Sequence, residues 1–97
     1  MPYIKKSSRN KIRHVIGQDA SGASNFLVNV AAITTPGELN YAFSIIAADY
    51  VKRNGLNYQN INDVKGALQG ALAEFDRRVT SPYEDQKIAE NGDVYNE

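Results

Sequence analysis

The chain has 97 residues, 42% apolar and 23% charged, with a formal net charge of zero, enough for one domain around a single modest core. Cysteine is absent, which excludes a disulfide framework and a thiolate metal site and points to a reducing compartment, the cytoplasm. The longest apolar run, FLVNVAAI at 26–33, is too short to span a membrane, and no apolar signal segment follows the N-terminal charges.

Residues 1–6 form a short lead. Ile12, Val15 and Ile16 recur at i, i+3 and i+4, so the spacing predicts one amphipathic helix over 8–16, stopped by Gly17. QDASGASN at 18–25 is a loop by composition. A strand over 26–33 would have no partner in this reading, so the stretch is assigned to a short buried helix capped by Ser24 or Asn25. Thr35-Pro36-Gly37-Glu38 is a helix start: Thr35 accepts from the third helical amide, Pro36 needs no N–H partner, and Glu38 reaches back to the Thr35 amide. The helix that follows places Leu39, Ala42, Phe43, Ile46, Ala47 and Tyr50 on one face and ends near Arg53, before Asn54-Gly55.

Asn60 is the expected cap of the next helix, with Asp63 as the acid three residues on. Ile61, Val64, Leu68, Leu72, Phe75 and Val79 give it the most strongly periodic apolar face in the chain. A proline at 82 predicts a kink at Thr80 or a fresh helix capped by Ser81, running to Glu90 and closed by Asn91-Gly92. Val94 and Tyr95 suggest a tail that docks. The expected fold is therefore all-α and a single domain over 1–97. It is built on an antiparallel helical hairpin (about 36–53 and 60–80), with a proline-kinked C-terminal helix (about 81–90) and short N-terminal helices.

The charges are unevenly spread. Lys5, Lys6, Arg9, Lys11 and Arg13 occupy the first 18 residues without one acid, whereas Glu84, Asp85, Glu90, Asp93 and Glu97 face Lys87 alone after residue 80. The two ends can pair within one chain or between subunits. A nucleic-acid arm is the sharper reading of the basic front, but no aromatic residues are interleaved there, and a solvated or acid-paired helix face outweighs it.

Gly66, Ala67, Gly70 and Ala73 line the opposite side of the long helix, where each glycine costs about 1 kcal/mol relative to alanine. Close helix approach explains them more readily than a ligand groove does. Glu74, Asp76, Arg77 and Arg78, with Tyr83, Glu84, Asp85 and Lys87, form a second cluster. Part of it is the ordinary i, i+4 ladder of a surface helix. Adjacent guanidinium forks beside a tyrosine also suit a phosphate and a stacked base. Catalysis has little to stand on: His14 is the only histidine, no serine has a partner base, no phosphate loop is present, and no metal-ligand spacing occurs.

PGELNYAFSIIAADY, NYQNINDVKGAL and EFDRRVTSPYEDQKIAENGDVY together resemble a family of small uncharacterised proteins of phage, prophage and scattered bacterial genomes. Its pattern is an opening MPYI, then GELNYAI, an asparagine followed by a G-A-L helix, EF-x-RR, PYED-x-K and a closing NGDVY. The match takes in residues 1–4 and 36–95. Asp76 departs from it, standing where an aromatic is common, and the 21–34 segment is longer than the usual lead into GELNY. The resemblance brings no established activity; small phage-encoded proteins without catalytic signatures commonly work by binding, so the expectation is a non-catalytic, homo-oligomeric binding protein that needs no cofactor, acting in the cytoplasm of a host cell. One expectation is sequestration of a small anionic ligand, such as a nucleotide immune signal. Arg77, Arg78 and Lys87 would hold phosphates, Tyr41 and Tyr83 would stack a base, and Asn40, Glu74 and Asp85 would read polar edges. The alternative is an adaptor or inhibitor of a host or phage protein, and a small enzyme acting on a nucleotide comes third.

Overall fold

The computed structural model describes residues 3–18, 20 and 24–96. In chain order these form α1 (Lys6–Ile12), β1 (Arg13–Gln18), β2 (Ser24–Val28), a 3-10 turn (Val30–Ala32), α2 (Pro36–Asn54), α3 (Tyr58–Phe75), a π turn (Asp76–Thr80), α4 (Ser81–Asn91) and a closing 3-10 turn (Val94–Asn96). The chain divides into two compact units, 1–61 and 62–97. Met1, Pro2 and half of the loop expected at 18–25 lie outside the described residues.

The protein is mostly helical, but it is not all-α. β1 and β2 pair antiparallel, with Arg13 opposite Val28, His14 opposite Leu27 and Val15 opposite Phe26. The strand at 24–28 has a partner after all: the second half of the stretch expected to be one helix over 8–16. Val15 and Ile16 are β-branched, and pairing with the equally β-rich 26–28 overrides the weak helical spacing. The register shifts between Val15 and Gly17, leaving Ile16 as the extra residue of a bulge, and Gly17 at φ 154° accommodates it. The helix expected over 26–33 shrinks to the single turn Val30–Ala32.

The first unit is held together at its centre by α1. Ile12 is fully buried, and with Ala42 it makes up the buried apolar core among the described residues. The Ile12 carbonyl accepts from the Asn29 N–H at 2.8 Å, closing the end of β2 onto the end of α1. Lys11 Nζ reaches Glu38 Oε2 at 3.0 Å, tying α1 to the first turn of α2.

α2 begins as its sequence dictates. Thr35 Oγ1 accepts from the Glu38 N–H at 3.1 Å, and Pro36 opens the helix. Glu38 differs from expectation by one residue: it accepts from the Thr34 N–H (2.8 Å) and the Thr34 hydroxyl (2.9 Å), not from Thr35. Its other oxygen is engaged by Lys11. The Thr34 amide bond, then Lys11, lower the Glu38 pKa from 4.5 to about 2, outweighing its burial.

At the far end of α2, Gly55 adopts φ 114°, a conformation that disfavours any side chain, and returns its N–H to the Val51 carbonyl. The cap of α3 is Asn57, three residues before the expected Asn60. Asn57 Oδ1 accepts from the Asn60 N–H at 2.8 Å. The Asn60 side chain instead donates to the Asn54 and Gly55 carbonyls, satisfying the last turn of α2.

In the second unit α4 starts at Ser81, one of the two alternatives expected, but its cap residue is Thr80 and not Ser81, and a π turn precedes it. Phe75, Thr80 and Ser81 all keep right-handed helical angles, and the Ser81 N–H bonds back to the Asp76 carbonyl, five residues earlier. Proline lacks an N–H, and its ring crowds the carbonyl four residues before it; the wider π turn just upstream relieves that crowding while the helix continues. The tail does not dock within its unit. Val94 and Tyr95 are exposed, and the Tyr95 N–H bonds to Asp93 Oδ1 at 2.9 Å.

Candidate functional site

The first unit carries two adjoining depressions, of about 330 and 230 Å³, that share Arg13 and Tyr41. The larger is lined by Arg13, Phe26, Tyr41, Ile45, Ala48, Asp49 and Lys52, the smaller by Lys6, Arg9, Asn10, Arg13, Val15 and Tyr41. Together they form one open groove bounded by α1, the β-hairpin and the outer side of α2.

Each wall follows from local structure. Lys6 and Arg9, three residues apart, share one side of α1, and Arg13 follows at the start of β1. Arg13 and Val15 on β1 share a face of the ladder with their partners Val28 and Phe26. That register sets the Arg13 guanidinium carbon 4.7 Å from the centroid of the Phe26 ring, a cation–π contact. On α2, Tyr41, Ile45, Ala48 and Lys52 follow at i, i+4, i+7 and i+11, one helical stripe.

The electrostatics are one-sided. Among the described residues the ion pairs are Lys11–Glu38, Arg53–Asp49, Arg77–Glu74 and Lys87–Glu90. Lys6, Arg9, Arg13 and Lys52 therefore line the groove without a paired acid. The carboxylate on its rim, Asp49, is engaged by Arg53 at 2.6 Å. Four cations beside a phenyl and a phenol ring suit a small anion with a planar part: phosphates to the guanidinium and ammonium groups, a ring to the aromatic faces. His14 is exposed and sits on the opposite face of the ladder from Arg13 and Phe26. No cluster of three or more His, Asp or Glu residues able to hold a metal occurs among the described residues.

Of the site residues proposed from sequence, Tyr41 lines this groove. Asn40 is exposed and accepts the Ser44 hydroxyl through its backbone carbonyl, 2.8 Å. The other six lie in the second unit. Glu74 and Arg77 form a two-point ion pair, 2.6 Å and 3.2 Å, at i, i+3. Lys87 pairs with Glu90 at 3.2 Å and stands 5.4 Å from the centroid of the Tyr83 ring. Arg78 and Asp85 are exposed and in no ion pair among the described residues. The groove cations and Phe26 escaped the sequence reading, although the acid-free first 18 residues were a signal for Lys6, Arg9 and Arg13. A basic stretch read as one helix presents only a solvated face; with half of it a strand, Arg13 comes against Phe26.

The chain belongs to the family described as a domain of unknown function (DUF6899), which it matches over residues 1–94. No curated protein and no solved structure matches it. No helix among the described residues is long and apolar enough to cross a membrane.

Proposed function

We propose that the protein is a non-catalytic binder of a small anionic ligand with a planar ring, a nucleotide being the natural class, and that the groove around Arg13 and Tyr41 receives it. The observation that carries this reading is the set of four cations without paired acids, Lys6, Arg9, Arg13 and Lys52, beside Phe26 and Tyr41. Arg13 is central: it borders both depressions and is pre-oriented by the Phe26 ring, so less side-chain entropy is lost when it grips a phosphate. The Arg77, Arg78, Tyr83 and Lys87 cluster of the second unit is the competing location for the same ligand. If the motif resemblance to phage proteins holds, sequestering a nucleotide signal of the host would be the biological use, a counter-defence role.

A second reading, docking on a host or phage protein, draws support from the exposed Leu39, Phe43 and Ile46 on α2. The two separate in a thermal-shift screen against linear and cyclic nucleotides. A ligand at a hundred times its Kd stabilises by about 2.7 kcal/mol, which is worth roughly 4–8 °C per kcal/mol in a domain of this size. The binder reading predicts such a shift with one nucleotide class, abolished by Arg13→Ala. A flat screen favours the protein partner.

A further inference from the structure

From Leu68 onward the apolar stripe of α3 has no cover within the second unit. From residue 65 to 79 every described side chain is exposed, Leu72 at 62% and Phe75 at 58% among them. A helix with such a stripe needs a partner surface, and the order of its residues says which one. Counted from Gly70, Ile61, Val64, Leu68, Leu72, Phe75 and Val79 stand at −9, −6, −2, +2, +5 and +9. The series is its own reverse to within one residue. A two-fold axis at Gly70 therefore lays Leu68 against Leu72, Val64 against Phe75 and Ile61 against Val79 of an antiparallel copy.

The charges obey the same symmetry. Lys65 and Asp76 stand at −5 and +6, eleven residues apart, which is three helical turns and hence one shoulder of the stripe. At 1.5 Å per residue they are about 16 Å apart along one helix and cannot pair there. Among the described residues neither Lys65 nor Asp76 is in an ion pair, and the Asp76 carboxylate accepts the Thr80 hydroxyl at 2.9 Å. Across the two-fold, Lys65 of each copy meets Asp76 of the other, twice. A parallel pairing in register would leave Lys65 of one copy and Asp76 of the other about 16 Å apart along the seam.

From this self-complementarity we infer that the protein associates with a second copy of itself through α3, antiparallel and centred on Gly70. The inference is independent of the ligand groove, whose lining residues lie elsewhere in the chain.

Sedimentation equilibrium of the full chain over a range of concentrations tests it. The expected species is an even-numbered oligomer of the 10.7 kDa chain. Leu72→Asp should yield a monomer with the far-ultraviolet helical signal retained. Lys65→Glu and Asp76→Lys should each weaken association about tenfold by setting like charges across the axis, and the doubly reversed chain should return to within about threefold of wild type. A chain that stays monomeric at all concentrations overturns the inference. So does a double reversal no tighter than either single change, even if the chain oligomerises.

Discussion

Replacing Ile12 by alanine probes the first unit at its most committed point. Ile12 is completely buried, and Ala42 is its only buried apolar companion among the described residues. The substitution removes three carbons, worth roughly 0.8 kcal/mol each in lost transfer free energy, and the cavity left behind raises the total to about 3–4 kcal/mol. Domains of this length are stable by roughly 5–15 kcal/mol, so one side chain would account for a large share. Unfolding in urea, followed by circular dichroism, should show that loss as a lower midpoint at unchanged slope, and heating should show a fall of about 12–30 °C. Ile12→Val should lose only about 1 kcal/mol. Ile16→Ala, at the exposed bulge position, should stay within about 0.5 kcal/mol of wild type. A loss below about 1 kcal/mol for Ile12→Ala, or an equal loss for Ile16→Ala, would refute the placement of the core between α1 and α2.

Three further outcomes follow from the same contacts. Glu38 has its pKa lowered to about 2 in the folded chain, so its ionised form stabilises the fold fully above about pH 4.5, and that contribution disappears as pH falls toward 2; acid unfolding of Glu38→Gln should lack this part of the pH dependence, and an unchanged acid profile would contradict the Thr34 and Lys11 contacts. Thr35→Ala removes the side chain that accepts the Glu38 N–H and should reduce stability by about 1 kcal/mol, with Thr35→Ser recovering most of it on the same urea curves. Pro82→Ala restores a helix donor, so the π turn should relax to an α-helix and the melting temperature should hold or rise; a fall equivalent to more than about 1 kcal/mol would show that the π turn has another cause.

Long local patterns were the legible part of this chain. The Thr35-Pro36 start of α2, its stop at Gly55 and the periodic stripe of α3 all rest on interactions within a few residues, and the structure carries them. The β-hairpin was not legible, because Val15 and Ile16 satisfy helical and strand spacing equally well. Only the partner segment Asn25–Val28, across a loop, decides between them. The same blindness hid the groove. Arg13 and Phe26 are thirteen positions apart in sequence, and no periodicity links them until the register sets them diagonal on one face. Pro82 made the start of α4 at Ser81 legible, but not the π turn one step upstream that absorbs its local penalty. Asn60 was the expected cap of α3, but which asparagine of the 54–60 turn caps which helix depends on where the turn closes.

The central claim is that the groove binds an anionic planar ligand through Arg13. Isothermal titration of the best-stabilising nucleotide from the thermal-shift screen tests it, into wild type, Arg13→Ala and the double variant Arg77→Ala/Arg78→Ala. Losing a charge-assisted hydrogen bond worth about 1.5–3 kcal/mol should weaken binding to Arg13→Ala by roughly 10- to 150-fold, with the helix variant unchanged. Equal affinity for wild type and Arg13→Ala, a loss confined to the helix variant, or no nucleotide bound at all would contradict it.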